Sequence, residues 1–282
     1  MKRQLDPDSL RALARGCAVL GAGGGGDPYL GLLQALQATE DFGAVALVDI
    51  DELPGESLIM PCGGIGAPTV SIEKIENGDE GGRLREHLEF VTGGQVAALM
   101  AAEFGGAASS TEFSFTAAQA RGATVQGSVS LAVRIGEAVA RAQGSPVEAL
   151  IEEVHAFRLV AGKVSDVERR TTSGFVRGSV VVEGLGEDTG RLIRLELQNE
   201  NLVALERGKL LASVPDLISV LDSETADAIV TERIRYGQRV TVIAFPCDPV
   251  WRTERGIEVA GPRAFGYDFD YVPVEELAGA RA

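Results

Sequence analysis

Histidine and cysteine are scarce in this sequence. Two histidines and three cysteines stand among 282 residues, and that scarcity removes the ready-made metal sites. His87 and His155 belong to neither a His-x-x-x-His nor a His-Glu-x-x-His pattern, and Cys17, Cys62 and Cys247 form no Cys-x-x-Cys pair. No zinc site is therefore legible from spacing; a bound metal would have to draw on carboxylates and a cysteine. The odd, dispersed cysteine set speaks against a disulfide framework and points to reduced thiols and a cytoplasmic protein. Basic residues are also in short supply: 26 Lys and Arg face 41 Asp and Glu, for a net charge of −15. Duplex nucleic acid and anionic membrane surfaces need clustered positive charge and are poor partners for such a chain. No apolar run is long enough to cross a bilayer. The stretch Met1 to Pro7 has no apolar segment behind Lys2 and Arg3, so it does not read as a secretory signal. A small-molecule substrate and a homo-oligomer are the partners expected.

Glycine, by contrast, is plentiful, and its densest run organises the chain. Leu20 to Gly31 reads Leu-Gly-Ala-Gly-Gly-Gly-Gly-Asp-Pro-Tyr-Leu-Gly. Asp27 is a good N-cap and Pro28 a good first helical residue, so a helix is expected from there to about Ala38. Gly23, Gly24, Gly25 and Gly26 would then lie at a helix N-terminus, where backbone N–H groups favour an anion or a carbonyl oxygen. A flexible connection between two helices is the competing reading. No Lys-Ser/Thr follows, which excludes a Walker A loop. Residues 7–19 are themselves helical in pattern, with Leu10, Leu13, Ala14 and Cys17 on one face, so no strand precedes the glycines as a dinucleotide fingerprint requires.

Short apolar runs at Ala44–Asp49, Ser57–Met60 and Gln95–Ala102 read as buried strands, with helices at Gly78–Phe90 and Gly127–Arg141 between and after them. Ser145, Pro146 and Glu148 give a helix start with a capping box. The second strand runs into Pro61-Cys62-Gly63-Gly64-Ile65-Gly66, glycines at the C-terminal end where open α/β sheets bind ligands. The third strand ends at Glu103-Phe104-Gly105-Gly106. Asp27, Glu73 and Glu103 thus each stand near glycine at an element end, the best pointer to a site. Glu73 beside Lys74 also reads as a solvated ion pair. From residue 157 the texture changes to short strands and turns, including a hairpin signal at Glu206-Arg207-Gly208-Lys209. The expected architecture is an α/β domain over 1–156 and a β-rich, barrel- or sandwich-like domain over 157–282. In the latter, Glu196-Leu197-Gln198-Asn199-Glu200-Asn201 sets amides and acids between apolar strands. Cys247 and Asp248 stand side by side between Pro246 and Pro249, as metal ligands, at a domain interface or in a plain rigid turn.

These runs, with Gly66-Ala-Pro-Thr-Val70, Asp166-Val-Glu-Arg-Arg-Thr-Thr-Ser-Gly-Phe175, Gln198-Asn-Glu-Asn-Leu202, Val214-Pro-Asp-Leu217, Arg235-Tyr-Gly-Gln-Arg-Val240 and Gly261-Pro-Arg-Ala-Phe-Gly-Tyr267, resemble the S-methyl-thiohydantoin desulfurase-like family in co-linear order. The resemblance implies an α/β domain followed by a β-rich one. It also implies hydrolytic removal of methanethiol from an S-methylated thiohydantoin, with zinc as cofactor. Asp27, Glu103 and Glu73 would be ligand or general base, the glycines of 23–26 with Gly63, Gly64 and Gly66 would hold substrate charge, and Cys62, Cys247 and Asp248 would be the metal donors. Between Phe113 and Ser114 the chain lacks a stretch that relatives carry. That departure favours a second reading, a non-catalytic subunit partnering a hydantoinase-type enzyme. A nucleotide-dependent enzyme using the glycine loop is a weaker third.

Overall fold

The computed structural model describes residues 3–63, 80–101, 124–125, 129–142, 144–172 and 175–280. Packing divides the chain into two compact units. One comprises Met1–Ala18 with Gly25–Glu137, the other Val19–Gly24 with Ala138–Ala282.

The first unit is α/β. Its sheet contains β1 (Arg3–Leu5), β2 (Val45–Val48), β3 (Leu58–Cys62), β4 (Val96–Ala101) and β5 (Thr124–Val125), in the order β1-β2-β5-β4-β3. All neighbours are parallel except β1, which runs antiparallel to β2. The apolar runs read as strands fall on β2, β3 and β4. Their continuous hydrophobicity is that of strands covered on both faces. Helix α1 (Pro7–Leu20) begins where Asp6 Oδ1 accepts the Ser9 N–H at 2.8 Å. Helix α2 (Pro28–Phe42) begins where Asp27 Oδ1 accepts the Tyr29 N–H at 3.0 Å. It runs a turn beyond the expected end, to Gly43 with φ 91°. Among the described residues the unit also holds helices α3 (Glu80–Thr92) and α4 (Val129–Arg141).

Helices α1 and α4 meet through small residues. A Cβ added to Gly16 would lie 1.8 Å from the Ala132 carbonyl oxygen, and one added to Gly136 would lie 2.0 Å from that of Ala12. Ala12 with Gly16, and Ala132 with Gly136, are spaced four apart, so each pair lies on one helix face. The two backbones therefore touch where side chains ordinarily intervene.

The second unit is β-rich. After α5 (Pro146–Val154) come β6 (Phe157–Thr172), β7 (Phe175–Gly184), β8 (Leu192–Gln198), β9 (Glu200–Glu206), β10 (Lys209–Ser213), β11 (Leu217–Asp222) and β12 (Arg239–Phe245). They form one antiparallel sheet in the order β10-β9-β8-β7-β6-β12-β11, curled into a half-barrel so that β11 packs against β9. Its core cluster buries Leu159, Val180, Val182, Ile193, Leu195, Val220 and Val242. The hairpin signal is met: Arg207 and Gly208 take φ 49° and 80°, the two positive values a type I′ turn needs. The capping box at Ser145 is not. Ser145 sits at φ −140°, ψ 60° and makes no side-chain cap, so α5 starts on Pro146 alone.

The last segment, with α6 (Glu254–Ala260) and α7 (Val274–Gly279), is held by Asp216. This carboxylate is fully buried. Its Oδ1 accepts from the Cys247 N–H at 3.0 Å, Arg252 Nη2 at 2.9 Å and the Tyr271 hydroxyl at 2.9 Å, and its Oδ2 accepts from the Val274 N–H at 2.8 Å. Among the described residues no helix is long and apolar enough to cross a membrane.

Candidate functional site

The start of the glycine run belongs to the second unit, and its backbone is engaged there. Ala22 O accepts from the Asn201 N–H at 2.8 Å, Gly23 O from the Thr231 N–H at 2.8 Å, and Val19 O from the Ser219 hydroxyl at 2.7 Å. The Gly24 N–H, offered by the sequence reading to an anion, instead closes a turn onto Gly21 O at 2.8 Å. Glycine is required at Gly23 by close approach, whereas at Gly24 the nearest atoms all belong to the Glu200 side chain, which can move. A Cβ at Gly23 would stand 2.7 Å from Asn201 Nδ2 and 2.9 Å from Thr231 Cγ2, and one at Gly24 would stand 2.5 Å from Glu200 Oε1. Gly23 also holds φ 95°, which an L side chain rarely adopts.

Thr231 is the knot of this cluster. Besides the bond to Gly23, its hydroxyl donates to Asn199 O at 2.5 Å, and its own carbonyl accepts from Arg169 Nη2 at 2.5 Å. The same Arg169 nitrogen reaches Ile234 O at 2.6 Å. Arg169 thus reaches from β6 across the short 3₁₀ turn Thr231–Arg233. Burial pushes its guanidinium below the ordinary value, with the charge of Glu232 opposing and that of Arg235 adding to the effect. Asn199, at φ 60°, makes the left-handed turn between β8 and β9, a conformation asparagine tolerates well.

Three acceptors in this cluster are buried and lack a hydrogen-bond partner among the described residues: Asn199 Oδ1, Asn201 Oδ1 and Glu232 Oε1. The Asn201 side chain is buried, and its amide nitrogen is already given to Ile218 O at 2.9 Å. A buried acceptor left unpaired costs about 1–3 kcal/mol. Three on residues tied together through Thr231, Gly23 and Ala22 mark a place suited to a hydrogen-bond donor.

The residues favoured by the sequence fall in several places. Gly23 and Gly24 are in this cluster. Gly25, Gly26, Asp27, Cys62 and Gly63 belong to the first unit, where Asp27 caps α2 and Cys62 ends β3 with its sulfur 3.8 Å from Met60 O. Gly64, Gly66, Glu73 and Glu103 lie outside the described residues, as does the junction at Phe113 and Ser114. Cys247 is buried, and burial holds its thiol above the usual range, with Arg252 opposing. The Asp248 carboxylate caps the 3₁₀ turn Pro249–Arg252 by accepting from the Val250 N–H at 2.9 Å. Among the described residues no three of His, Cys, Asp and Glu come together. The described donors therefore do not fit zinc. Sequence reasoning singled out Gln198–Asn201 but missed Thr231 and Glu232, and it held Arg169 only as part of the Asp166–Phe175 run.

The N-terminal domain of S-Me-THD-like proteins matches residues 8–129, and the C-terminal domain matches residues 94–274. The chain belongs to the S-Me-THD-like family. The cluster's residues on β6, β9 and the 3₁₀ turn lie inside the C-terminal match, and Ala22 to Gly24 lie inside the N-terminal one. Among solved structures, a crystal structure of a protein from Chromobacterium violaceum shares the fold, with TM-score 0.76 at 17% identity over 96% of this chain and 100% of that one. No curated protein matches the chain.

Proposed function

We propose that this S-Me-THD-like chain hydrolyses an S-alkylated thiohydantoin or closely related ring, and that the Gly23–Asn201–Thr231–Glu232 cluster is where it does so. The single observation that carries the reading is the set of buried acceptors at Asn199, Asn201 and Glu232 that have no partner among the described residues. A five-membered ring of this class carries N–H donors at its edge, which such acceptors would pair. Glu232 takes the proton of the attacking water. As water oxygen bonds to the ring carbon that bears sulfur, the ring C=N bond becomes single and its nitrogen takes the proton from Glu232; the C–S bond then breaks, the thiolate takes the remaining hydroxyl proton and leaves as methanethiol, and a ring C=O remains. No step runs through zinc, because the described residues do not fit it.

The test is methanethiol release from an S-methylated thiohydantoin by the parent chain and by Glu232→Gln. The variant is expected to lose about a hundredfold in kcat/KM, the lower range for a general base, with unchanged circular dichroism. Equal turnover, or none by the parent chain, would overturn the reading. Asp27→Ala and Glu103→Ala in the same assay test the bases that the glycine-and-acid pattern favours.

A further inference from the structure

We infer that Asn201 sets the substrate specificity of this site: its side-chain oxygen accepts the one N–H of an S-alkylated thiohydantoin, so the chain takes rings unsubstituted at nitrogen and refuses N-alkylated ones. The inference rests on the site proposed above and narrows the substrate class it serves.

Hydrogen bonding fixes which end of the Asn201 amide is free. The nitrogen, Nδ2, donates to Ile218 O at 2.9 Å. A backbone carbonyl can only accept, so turning the amide over would set oxygen against oxygen. The free end is therefore the oxygen, which itself can only accept and has no partner among the described residues. The backbone is held as well, by the bond from the Asn201 N–H to Ala22 O at 2.8 Å. Gly23 leaves room for the amide: a Cβ there would stand 2.7 Å from Nδ2 and 3.2 Å from Cγ. The acceptor is thus pinned from β11, through Ile218, and from the glycine run. A donor that pairs with it meets an oxygen already in place, with little side-chain freedom left to lose.

Burial distinguishes Asn201 from the other two acceptors. Asn201 is 1% exposed, whereas Asn199 and Glu232 are only partly buried. Their side chains can swing to meet solvent. That of Asn201 is tied at its nitrogen, so a ring without a donor leaves its oxygen unpaired.

The ligand follows from the chemistry of the ring. S-alkylation converts one of the two N–H groups of a thiohydantoin into a C=N nitrogen. One N–H remains, on either of the nitrogens flanking the sulfur-bearing carbon. Pairing it with Asn201 Oδ1 selects one tautomer and leaves the C=N nitrogen on the other side, free to take a proton as water adds. A methyl on either nitrogen keeps the C=N bond and the leaving group but removes the N–H. Sites built around a buried hydrogen bond reject such analogues far more strongly than apolar pockets do.

The experiment compares methanethiol release from an S-methylated thiohydantoin and from its two N-methyl analogues, by the parent chain and by Asn201→Leu. Leucine keeps the branched outline at Cγ and has no acceptor. The parent is expected to prefer the N–H ring by at least about a hundredfold in kcat/KM. Asn201→Leu should lose activity on the N–H ring alone, so that the preference falls below about tenfold. A second readout needs neither turnover nor a change at Asn201. The chain holds three asparagines, Asn77, Asn199 and Asn201, so carbon-13 at asparagine Cγ gives three NMR signals. Asn77→Ser and Asn199→Gly each remove one and so assign the third. Hydantoin, the product ring, should move the Asn201 signal downfield, and its N,N′-dimethyl analogue should not.

Equal parent rates on N–H and N-methyl rings, or an unchanged preference in folded Asn201→Leu, would overturn the inference and leave Glu232-dependent hydrolysis standing. No methanethiol from any ring would overturn the proposed function, and the NMR measurement would then decide the inference alone. It also decides if Asn201→Leu does not fold. An Asn201 signal unmoved by millimolar hydantoin, or moved equally by both rings, would overturn the assignment of this residue.

Discussion

Asp216→Ala is expected to cost about 3–5 kcal/mol of stability, the range for breaking a buried charge pair by removing one partner. The second unit should fail to hold its C-terminal segment as a result. Asp216 is shielded from water and receives four donors. Its loss leaves the Cys247 and Val274 N–H groups and the Tyr271 hydroxyl without their acceptor, each a cost of about 1–3 kcal/mol if water cannot reach it. Arg252 keeps Glu275, with both nitrogens at 2.9 Å, which limits the damage on that side. Glu275 is 41% exposed, so Glu275→Gln should cost under about 1 kcal/mol. The contrast between the two acids that share Arg252 separates burial from charge pairing. Asp216→Asn is expected to fall between them, since one amide oxygen can still accept while the amide nitrogen meets a donor. Burial and then the Asp216 charge push the Tyr271 phenol above its ordinary value, so Asp216→Asn should also let Tyr271 ionise at lower pH. Urea unfolding and ultraviolet titration of tyrosine measure both effects. A loss below about 1 kcal/mol in Asp216→Ala would show that the segment is held by its apolar contacts instead.

The parts of this fold that the sequence made legible are those written in local chemistry. Asp6-Pro7 and Asp27-Pro28 announce helix starts because cap and first turn are adjacent in the chain, and the short carboxylate needs only the next N–H groups. Arg207-Gly208 announces a hairpin for the same reason. Ser145-Pro146-Val147-Glu148 carries the same kind of signal, yet Ser145 adopts a backbone geometry that does not deliver its hydroxyl. Cap motifs state compatibility, and the chain entering the helix decides. Strand β6 is longer than its pattern suggested. Ser165-Asp166 interrupts the apolar alternation, and the structure passes that point with a shift in register between Val164 and Asp166, a bulge that a period-two pattern cannot represent.

The candidate site was half legible. Gln198–Asn201 stood out because polar residues between apolar strands are conspicuous. Arg169, Thr231 and Glu232 did not, because nothing local distinguishes an arginine that will reach two carbonyls more than 60 residues away from one on a solvated strand face. The glycine run was read for what its N–H groups could bind. In the second unit, Gly23 is needed for what its missing side chain allows, the approach of Ala22 and Gly23 to β9 and Thr231. Both uses demand glycine, and a sequence alone does not separate them.

The same logic of missing side chains gives the other large effect, in the first unit. Gly16→Ala should destabilise despite alanine's advantage inside a helix. That advantage is at most about 1 kcal/mol. Against it, the added methyl would meet the Ala132 carbonyl at 1.8 Å, far inside van der Waals contact. The obstacle is the backbone of a second helix, not the end of a flexible side chain, so rotamer changes cannot relieve it and α1 must move away from α4. Ala132, Val133 and Ile135 on α4 and Leu13 and Cys17 on α1 are all buried, and separation would loosen that packing. Overpacking of this kind costs about 1–3 kcal/mol for small additions and more for larger ones, so Gly16→Ala should lose about 2 kcal/mol net and Gly16→Leu should not fold. Gly136→Ala, which meets the Ala12 carbonyl at 2.0 Å, should cost a similar amount. The double variant should cost less than the sum, because one separation of the helices relieves both contacts. Gly55→Ala is the control, as a Cβ there meets nothing within 4 Å, and it should be neutral within about 0.5 kcal/mol. Urea unfolding of the four variants decides the matter. A Gly16→Ala chain as stable as the parent would mean that the α1–α4 contact yields freely and that the small residues at Ala12, Gly16, Ala132 and Gly136 do not set the spacing of these helices.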